Sequence, residues 1–231
     1  MLKVSGLNQF YGESHTLWDV ALEIDAGKCT CLMGRNGVGK TTLLNCLMGE
    51  LALKSGKMEY EGQDLGKMPM ERRAGLGIGY VPQGRQIFPM LTVEENLQIG
   101  LPARRDRQKR VPDFIYDMFP VLKEMLKRRG GDLSGGQQQQ LAIGRALVID
   151  PKLLILDEPT EGIQPNIVAE IGEVIRQLNR DIGLTVLLVE QKLPFVRKVA
   201  DSFYILDRGR IKANGDVSEL SETLVKEYLT V

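Results

Sequence analysis

Histidine is almost missing from this chain: one residue, His15, among 231. Cysteine is scarce too, with three, at 29, 31 and 46. A structural zinc site needs four such ligands at motif spacing, and His15 has no motif linking it to the cysteines. Buried free thiols are expected, because cysteine packs as a small hydrophobe. An odd count suits a reducing compartment. Charge of one sign is also missing: 30 Lys and Arg face 30 Asp and Glu. That balance excludes a general nucleic-acid coat, so no nucleic-acid partner is expected. No apolar run approaches the roughly 20 residues that span a bilayer. The segment Met1-Leu2-Lys3-Val4-Ser5-Gly6 lacks the apolar core of a signal peptide. The chain is therefore expected in the cytosol, and another polypeptide must hold it if it works at a membrane. Its length allows one large α/β domain with a sizeable core.

What is present is sharper. Gly34-Arg35-Asn36-Gly37-Val38-Gly39-Lys40-Thr41 matches G-x-x-x-x-G-K-[ST], the phosphate-binding loop of nucleotide triphosphatases, at every position. Cys29 to Met33 before it reads as a short buried strand and Thr42 to Met48 after it as a helix, the context this motif requires. Glycines let backbone N–H groups close around phosphate oxygens, and the helix start offers further N–H groups and a positive dipole end. Lys40 can reach the β- and γ-phosphates, and Thr41 can place its hydroxyl on Mg²⁺.

Leu133-Ser134-Gly135-Gly136-Gln137 precedes a helical run from Gln138 to Val148. It matches the signature of ATP-binding-cassette ATPases, and from there the chain resembles that family over essentially its full length. The resemblance implies an α/β phosphate-loop fold with a mainly parallel core sheet, an N-terminal antiparallel β part and an inserted helical subdomain. It implies a single domain over 1–231, with the core at 1–90 and 150–231 and the helical part at about 91–149. ATP and Mg²⁺ follow as cofactors, with nucleotide held by residues 34–42, ending at Thr42. Transmembrane permease subunits and a second cassette follow as partners, at the cytoplasmic face of the plasma membrane. In this family Ser134, Gly135, Gly136 and Gln137 face the γ-phosphate held by the opposite cassette, so a monomer cannot complete its own site.

Asp157 and Glu158 end the apolar run Lys152 to Leu156. Adjacent carboxylates at a buried strand end need compensation, and a metal ion and a water molecule supply it. By resemblance, Asp157 supports Mg²⁺ and Glu158 orients and deprotonates water. Gln83 matches the glutamine that touches Mg²⁺ or the water where core and helical part join. Tyr11, in Phe10-Tyr11-Gly12, stands about where the family stacks an aromatic on adenine. Two departures stand out. Gln191 follows Leu188-Val189-Glu190, where the family usually has a switch histidine. Gln164 ends Glu161-Gly162-Ile163-Gln164, where many members carry an acid.

The rest of the chain supports further expectations. Leu22–Ile24 and Cys29–Met33 suggest a hairpin around Asp25-Ala26-Gly27. Residues 51–81 read as strand and turn, and 92–130 as helices divided by Pro102, Pro112 and Pro120, opened by the capping box Thr92-Val93-Glu94-Glu95. Arg104 to Arg110 reads as a solvated basic surface, with contact to anionic lipid heads as the alternative. Val81-Pro82-Gln83-Gly84-Arg85, Glu158-Pro159-Thr160-Glu161-Gly162 and Val189-Glu190-Gln191 resemble the ATPases of branched-chain amino-acid importers. The run Gln137 to Leu147 and Gly12-Glu13-Ser14-His15 look most like the urea-importer subgroup. The expectation is an importer ATPase for urea or short amides; the alternatives are branched-chain amino acids or a soluble non-transport cassette.

Overall fold

The computed structural model describes residues 1–229. Its first half runs β1 (Leu2–Tyr11), β2 (Ser14–Ile24), β3 (Cys29–Met33), α1 (Lys40–Met48), β4 (Ser55–Tyr60), β5 (Gln63–Asp64), α2 (Met70–Gly75), β6 (Ile78–Val81), α3 (Val93–Gln98), α4 (Asp113–Met118) and α5 (Pro120–Glu124). The remainder is α6 (Gly135–Val148), β7 (Leu153–Asp157), α7 (Pro165–Arg180), β8 (Thr185–Val189), α8 (Leu193–Val199), β9 (Ser202–Asp207), β10 (Arg210–Asp216) and α9 (Glu222–Tyr228). The chain forms two compact units, one of residues 1–73 with 185–231, the other of residues 74–184.

In the first unit, β2, β1, β4 and β5 form an antiparallel sheet in that order. β1 and β2 pair from Leu2 opposite Ile24 to Tyr11 opposite Ser14. Their burial largely alternates, as in a sheet with one packed face. A second set is ordered β10-β9-β3-β8, with β3 parallel to both β8 and β9. β3 and β8 are buried at all five positions each, as strands covered on both faces must be.

That contrast overturns the hairpin expected between Leu22–Ile24 and Cys29–Met33. β2 pairs with β1, while β3 pairs with β8 and β9. A one-sided amphipathic strand and an all-apolar strand belong in different sheets, and Asp25 to Lys28 carries the chain between them. All three cysteines are buried and free. Burial pushes the Cys29 thiol up to about 12 and the Cys46 thiol to about 11, so both stay protonated and inert.

Residues 51–81 hold a helix that sequence reading missed. α2 brings Arg73, only 2% exposed, against the last turn of α1. Its guanidinium donates to the carbonyls of Cys46 (2.7 Å), Leu47 (2.6 Å), Leu65 (2.5 Å) and Met68 (2.8 Å). Helix C-terminal carbonyls lack intrahelical partners and carry the negative dipole end, so a buried cation is stabilised there without a carboxylate. Burial lowers the Arg73 pKa from its ordinary value.

The second unit pairs β6 and β7 in parallel and carries the helices α3 to α7. The helical expectation for 92–130 holds only in pieces of five or six residues, because prolines and turns interrupt it. The capping box forms: Thr92 Oγ1 accepts from Glu95 N, and the Glu95 carboxylate accepts from Thr92 N. The basic run is not uniformly solvated. Arg104 is 8% exposed, donates to the Val148 carbonyl (2.8 Å), and holds the Asp106 carboxyl down at about 2. Arg105 pairs with Asp150 at 3.0 Å.

Candidate active site

In the first unit the site is built on the turn from β3 into α1. Gly34 has φ 150°, and a Cβ there would lie 2.3 Å from the Leu206 carbonyl oxygen. Gly39 has φ 110°, and a Cβ would meet the Leu17 side chain at 2.8 Å. Side chains are excluded at both positions by backbone conformation and by space. Gly39 is also the N-cap of α1, and no side chain caps this helix start. N–H groups of a first helical turn have no intrahelical acceptor. They and the positive dipole end suit an anion.

Lys40 is buried, and its ammonium donates to the carbonyls of Gly34 (2.8 Å) and Arg35 (3.0 Å). The ammonium thus lies across the loop, where phosphate oxygens can exchange for the carbonyls. Arg35 contributes its backbone there, while its guanidinium reaches the Glu227 carbonyl of α9 (3.5 Å). Asn36 and Gly37 are exposed at the loop tip, Val38 is buried beneath, Thr41 is exposed and Thr42 buried at the helix start.

Gln191 comes to this loop across 155 residues: its Nε2 donates to Asn36 Oδ1 at 2.7 Å. The preceding residue holds it in place. Glu190, 3% exposed, accepts from the backbone N–H of Gln191 (2.8 Å) and Lys192 (3.1 Å). Tyr11 stands at the end of β1, half exposed. No hydrogen bond or ring contact joins it to the phosphate loop among the described residues.

In the second unit, β7 is buried throughout and ends at Asp157, 3% exposed. Glu158 follows with φ 47°, in the left-handed region that non-glycine residues rarely adopt. Such backbone costs on the order of 1 kcal/mol and concentrates where a side chain must be aimed. Gln83, just after β6, donates to the Glu161 carboxylate (2.9 Å) and to Glu158 Oε2 (3.4 Å). The sequence-predicted pair Gln83 and Glu158 is therefore together, 75 residues apart in the chain. Glu161 and Arg85 join them unforeseen. Arg85, at φ 70°, donates to the Glu161 carbonyl (3.4 Å) and to Gln138 Oε1 (3.3 Å). Both residues lay in quoted motifs, but only the fold shows that they meet.

The signature residues open α6. Ser134 Oγ accepts from Gln137 N (3.3 Å), and Gln137 Oε1 accepts from Ser134 N (2.9 Å), a complete capping box. Beside it lies a cavity of 390 Å³, lined among others by Ser134, Gly135, Gly136, Gln137, Ile163 and Gln164.

A family model described as "ABC transporter" matches residues 17–161, more than half of the chain. The chain belongs to the ABC transporter family. It is 45% identical over 213 residues to the high-affinity branched-chain amino acid transport ATP-binding protein BraG of Pseudomonas aeruginosa, covering 91% of each chain. It is 40% identical over 223 residues to the probable branched-chain amino acid transport ATP-binding protein LivF of Archaeoglobus fulgidus, covering 96% of this chain and 94% of that one. The dimeric structure of MJ0796, a bacterial ABC transporter cassette, superposes with a TM-score of 0.84 at 26% identity, covering 94% of this chain and 99% of that one. This ABC cassette is an ATPase that binds ATP with Mg²⁺. Its fold is the expected one: a sheet with a parallel core, an N-terminal antiparallel sheet and a helical part. No helix among the described residues is long and apolar enough to cross a membrane.

Proposed function

We propose that this cassette powers uptake of branched-chain amino acids, joined to transmembrane permease subunits at the cytoplasmic face of the plasma membrane. The observation that carries the cargo is the 45% identity to BraG across 91% of both chains, with LivF in support. The urea reading rests on the run Gln137 to Leu147, with its four leading glutamines, and on Gly12-Glu13-Ser14-His15. Three glutamines of that run have internal partners: Gln137 closes the capping box, Gln138 donates to the Gly130 carbonyl, and Gln140 donates to Glu170. His15 stacks between Phe10 and Trp18. Packing accounts for these residues, so they weigh little on cargo. Deleting the gene and measuring uptake of labelled leucine and labelled urea tests the assignment. Leucine uptake should be lost and urea uptake kept; the reverse overturns the cargo and leaves the ATPase untouched.

The residue roles follow from chemistry. The loop Gly34 to Thr42 holds the phosphates through backbone N–H groups, with Lys40 exchanging carbonyls for phosphate oxygens. Tyr11 stacks on the adenine. Asp157, a buried carboxylate at a strand end, and the Thr41 hydroxyl suit a hard cation. Gln83, whose carboxamide already reaches Glu158, is a further oxygen donor. Mg²⁺, when bound, neutralises charge on the phosphates. Glu158 takes a proton from water as the water oxygen bonds the γ-phosphorus. The bond from that phosphorus to the β,γ-bridging oxygen breaks, leaving ADP and phosphate. Gln191 donates to the γ-phosphate in place of a histidine, without carrying charge at neutral pH. Ser134, Gly135, Gly136 and Gln137 present a helix start to the γ-phosphate of a second cassette, so two cassettes enclose two nucleotides.

A further inference from the structure

We infer that Arg145, in the last turn of α6, is a positioning residue for Gln83: it latches the turn that follows Gln83 and so sets where that carboxamide lies. This rests on the reading above that Gln83 is an oxygen donor to the cation. The three residues after Gln83 all lie in the left-handed region: Gly84 (φ 75°), Arg85 (φ 70°) and Gln86 (φ 45°). Glycine is at ease there; Arg85 and Gln86 are not. Gln86 N donates to the Gly84 carbonyl (2.8 Å), which closes a three-residue turn centred on Arg85. With a positive φ at its centre, such a turn is the rare, strained form. Strained backbone persists only where its surroundings over-determine it.

Within the second unit, α6 supplies those surroundings. Arg145 Nη2 donates to the carbonyls of Gln86 (2.8 Å) and Arg85 (3.3 Å). Its guanidinium carbon stands over the Phe88 ring, 5.3 Å from the centroid, within cation–π range. A guanidinium only donates and a carbonyl only accepts, so these bonds have one possible direction. Burial lowers the Arg145 pKa, and no carboxylate pairs with it among the described residues. Its partners are the turn itself and the ring just beyond it. Seven residues earlier, on the same face of the helix, Gln138 Oε1 accepts from Arg85 Nη1 (3.3 Å). That carboxamide has one orientation as well, because its Nε2 donates to the Gly130 carbonyl (3.3 Å). Two points on α6 thus grip the turn, and the bend they keep brings the Gln83 carboxamide to the Glu161 carboxylate (2.9 Å). Arg145 acts through Gln83 and not on the reacting atoms.

A double-mutant cycle tests this in the full-length cassette. Arg145→Met keeps the apolar stem and removes the donors; Gln83→Ala removes the carboxamide. These and the double variant are compared by phosphate release for kcat and by binding of fluorescent ADP, whose affinity reports the phosphate loop that neither change touches. Gln83→Ala should lower kcat about tenfold, the value of one hydrogen bond to a charged group. Arg145→Met should lower kcat about three- to tenfold, with ADP affinity within about twofold of wild type. In the Gln83→Ala background, Arg145→Met should cost less than about twofold, because both changes remove one device. A merely structural Arg145 would slow both backgrounds by the same factor. That result overturns the inference and leaves the role of Gln83 standing, as does wild-type kcat in Arg145→Met, or ADP affinity that falls together with kcat. Wild-type kcat in Gln83→Ala overturns the earlier reading and this one with it. If Arg145→Met does not fold, Arg145→Lys, which keeps the charge without the planar fork, replaces it in the cycle. Its kcat must fall and the fall must vanish in the Gln83→Ala background; any other pattern overturns the inference.

Discussion

Two helix starts carry the proposed phosphate contacts of this cassette, and they are finished in opposite ways. α1 begins at Lys40 with glycine at its N-cap and no side chain closing it. α6 begins at Gly135 with Ser134 and Gln137 closing it reciprocally. On the proposed reading the first start serves a ligand that the same chain holds: no side chain caps its N–H groups, and the buried Lys40 lies across the loop. The second is self-sufficient. Its cap satisfies part of the helix end without ligand, which fits a surface that must stay ordered until a second cassette brings the phosphate.

The division breaks most visibly at the chemistry. Glu158→Gln keeps shape and removes the base, so phosphate release should fall about 10²- to 10⁴-fold. ADP affinity should stay within twofold, because α1 and its loop are untouched. Size measurement of this variant should show dimer in ATP and monomer in ADP. Wild-type turnover would remove Glu158 from the reaction, and equal monomer content in both nucleotides would end the idea of a shared sandwich.

Lys40→Ala probes the uncapped start. It removes charge-assisted hydrogen bonds worth about 1.5–3 kcal/mol, so ADP should bind about 10- to 100-fold more weakly. Unchanged ADP affinity in titration would mean that the anion does not sit at this helix start.

Ser134→Ala gives the smallest effect and the closest test of the contrast. Loss of an N-cap costs about 1 kcal/mol, to be read as a shift in denaturation midpoint. ADP affinity of the monomer should not change, while ATP-dependent dimer should decline. A drop in ADP affinity comparable to that of Lys40→Ala would show that the two starts do not divide the work.

Local pattern carried much of this. The loop from Gly34 to Thr41 was legible because each residue type answers a local demand: glycine for backbone conformation, lysine for charge, threonine for a hydroxyl. The capping box at Thr92 was legible for the same reason, since it closes within four residues. β7 could be read as buried because it is apolar at every position up to Asp157. Arg73 could not be read: nothing in Met70 to Gly75 signals that four carbonyls from Cys46, Leu47, Leu65 and Met68 wait for its guanidinium. Arg104 was misread for the same reason, as one more member of a basic run.

By itself, then, the sequence determined that this chain is an ATP-binding cassette, which turn is built for close backbone approach, and that its core is a mainly parallel, helix-covered sheet. Those are properties of contiguous segments, set by backbone freedom, side-chain type and periodicity. Only the tertiary structure decided that β3 leaves β2 for β8 and β9, that Gln83 and Glu161 stand at Glu158, and that Asn36 meets Gln191. Those contacts join residues far apart in the chain, and a hydrogen bond depends on where two groups are placed, not on the order in which they were strung.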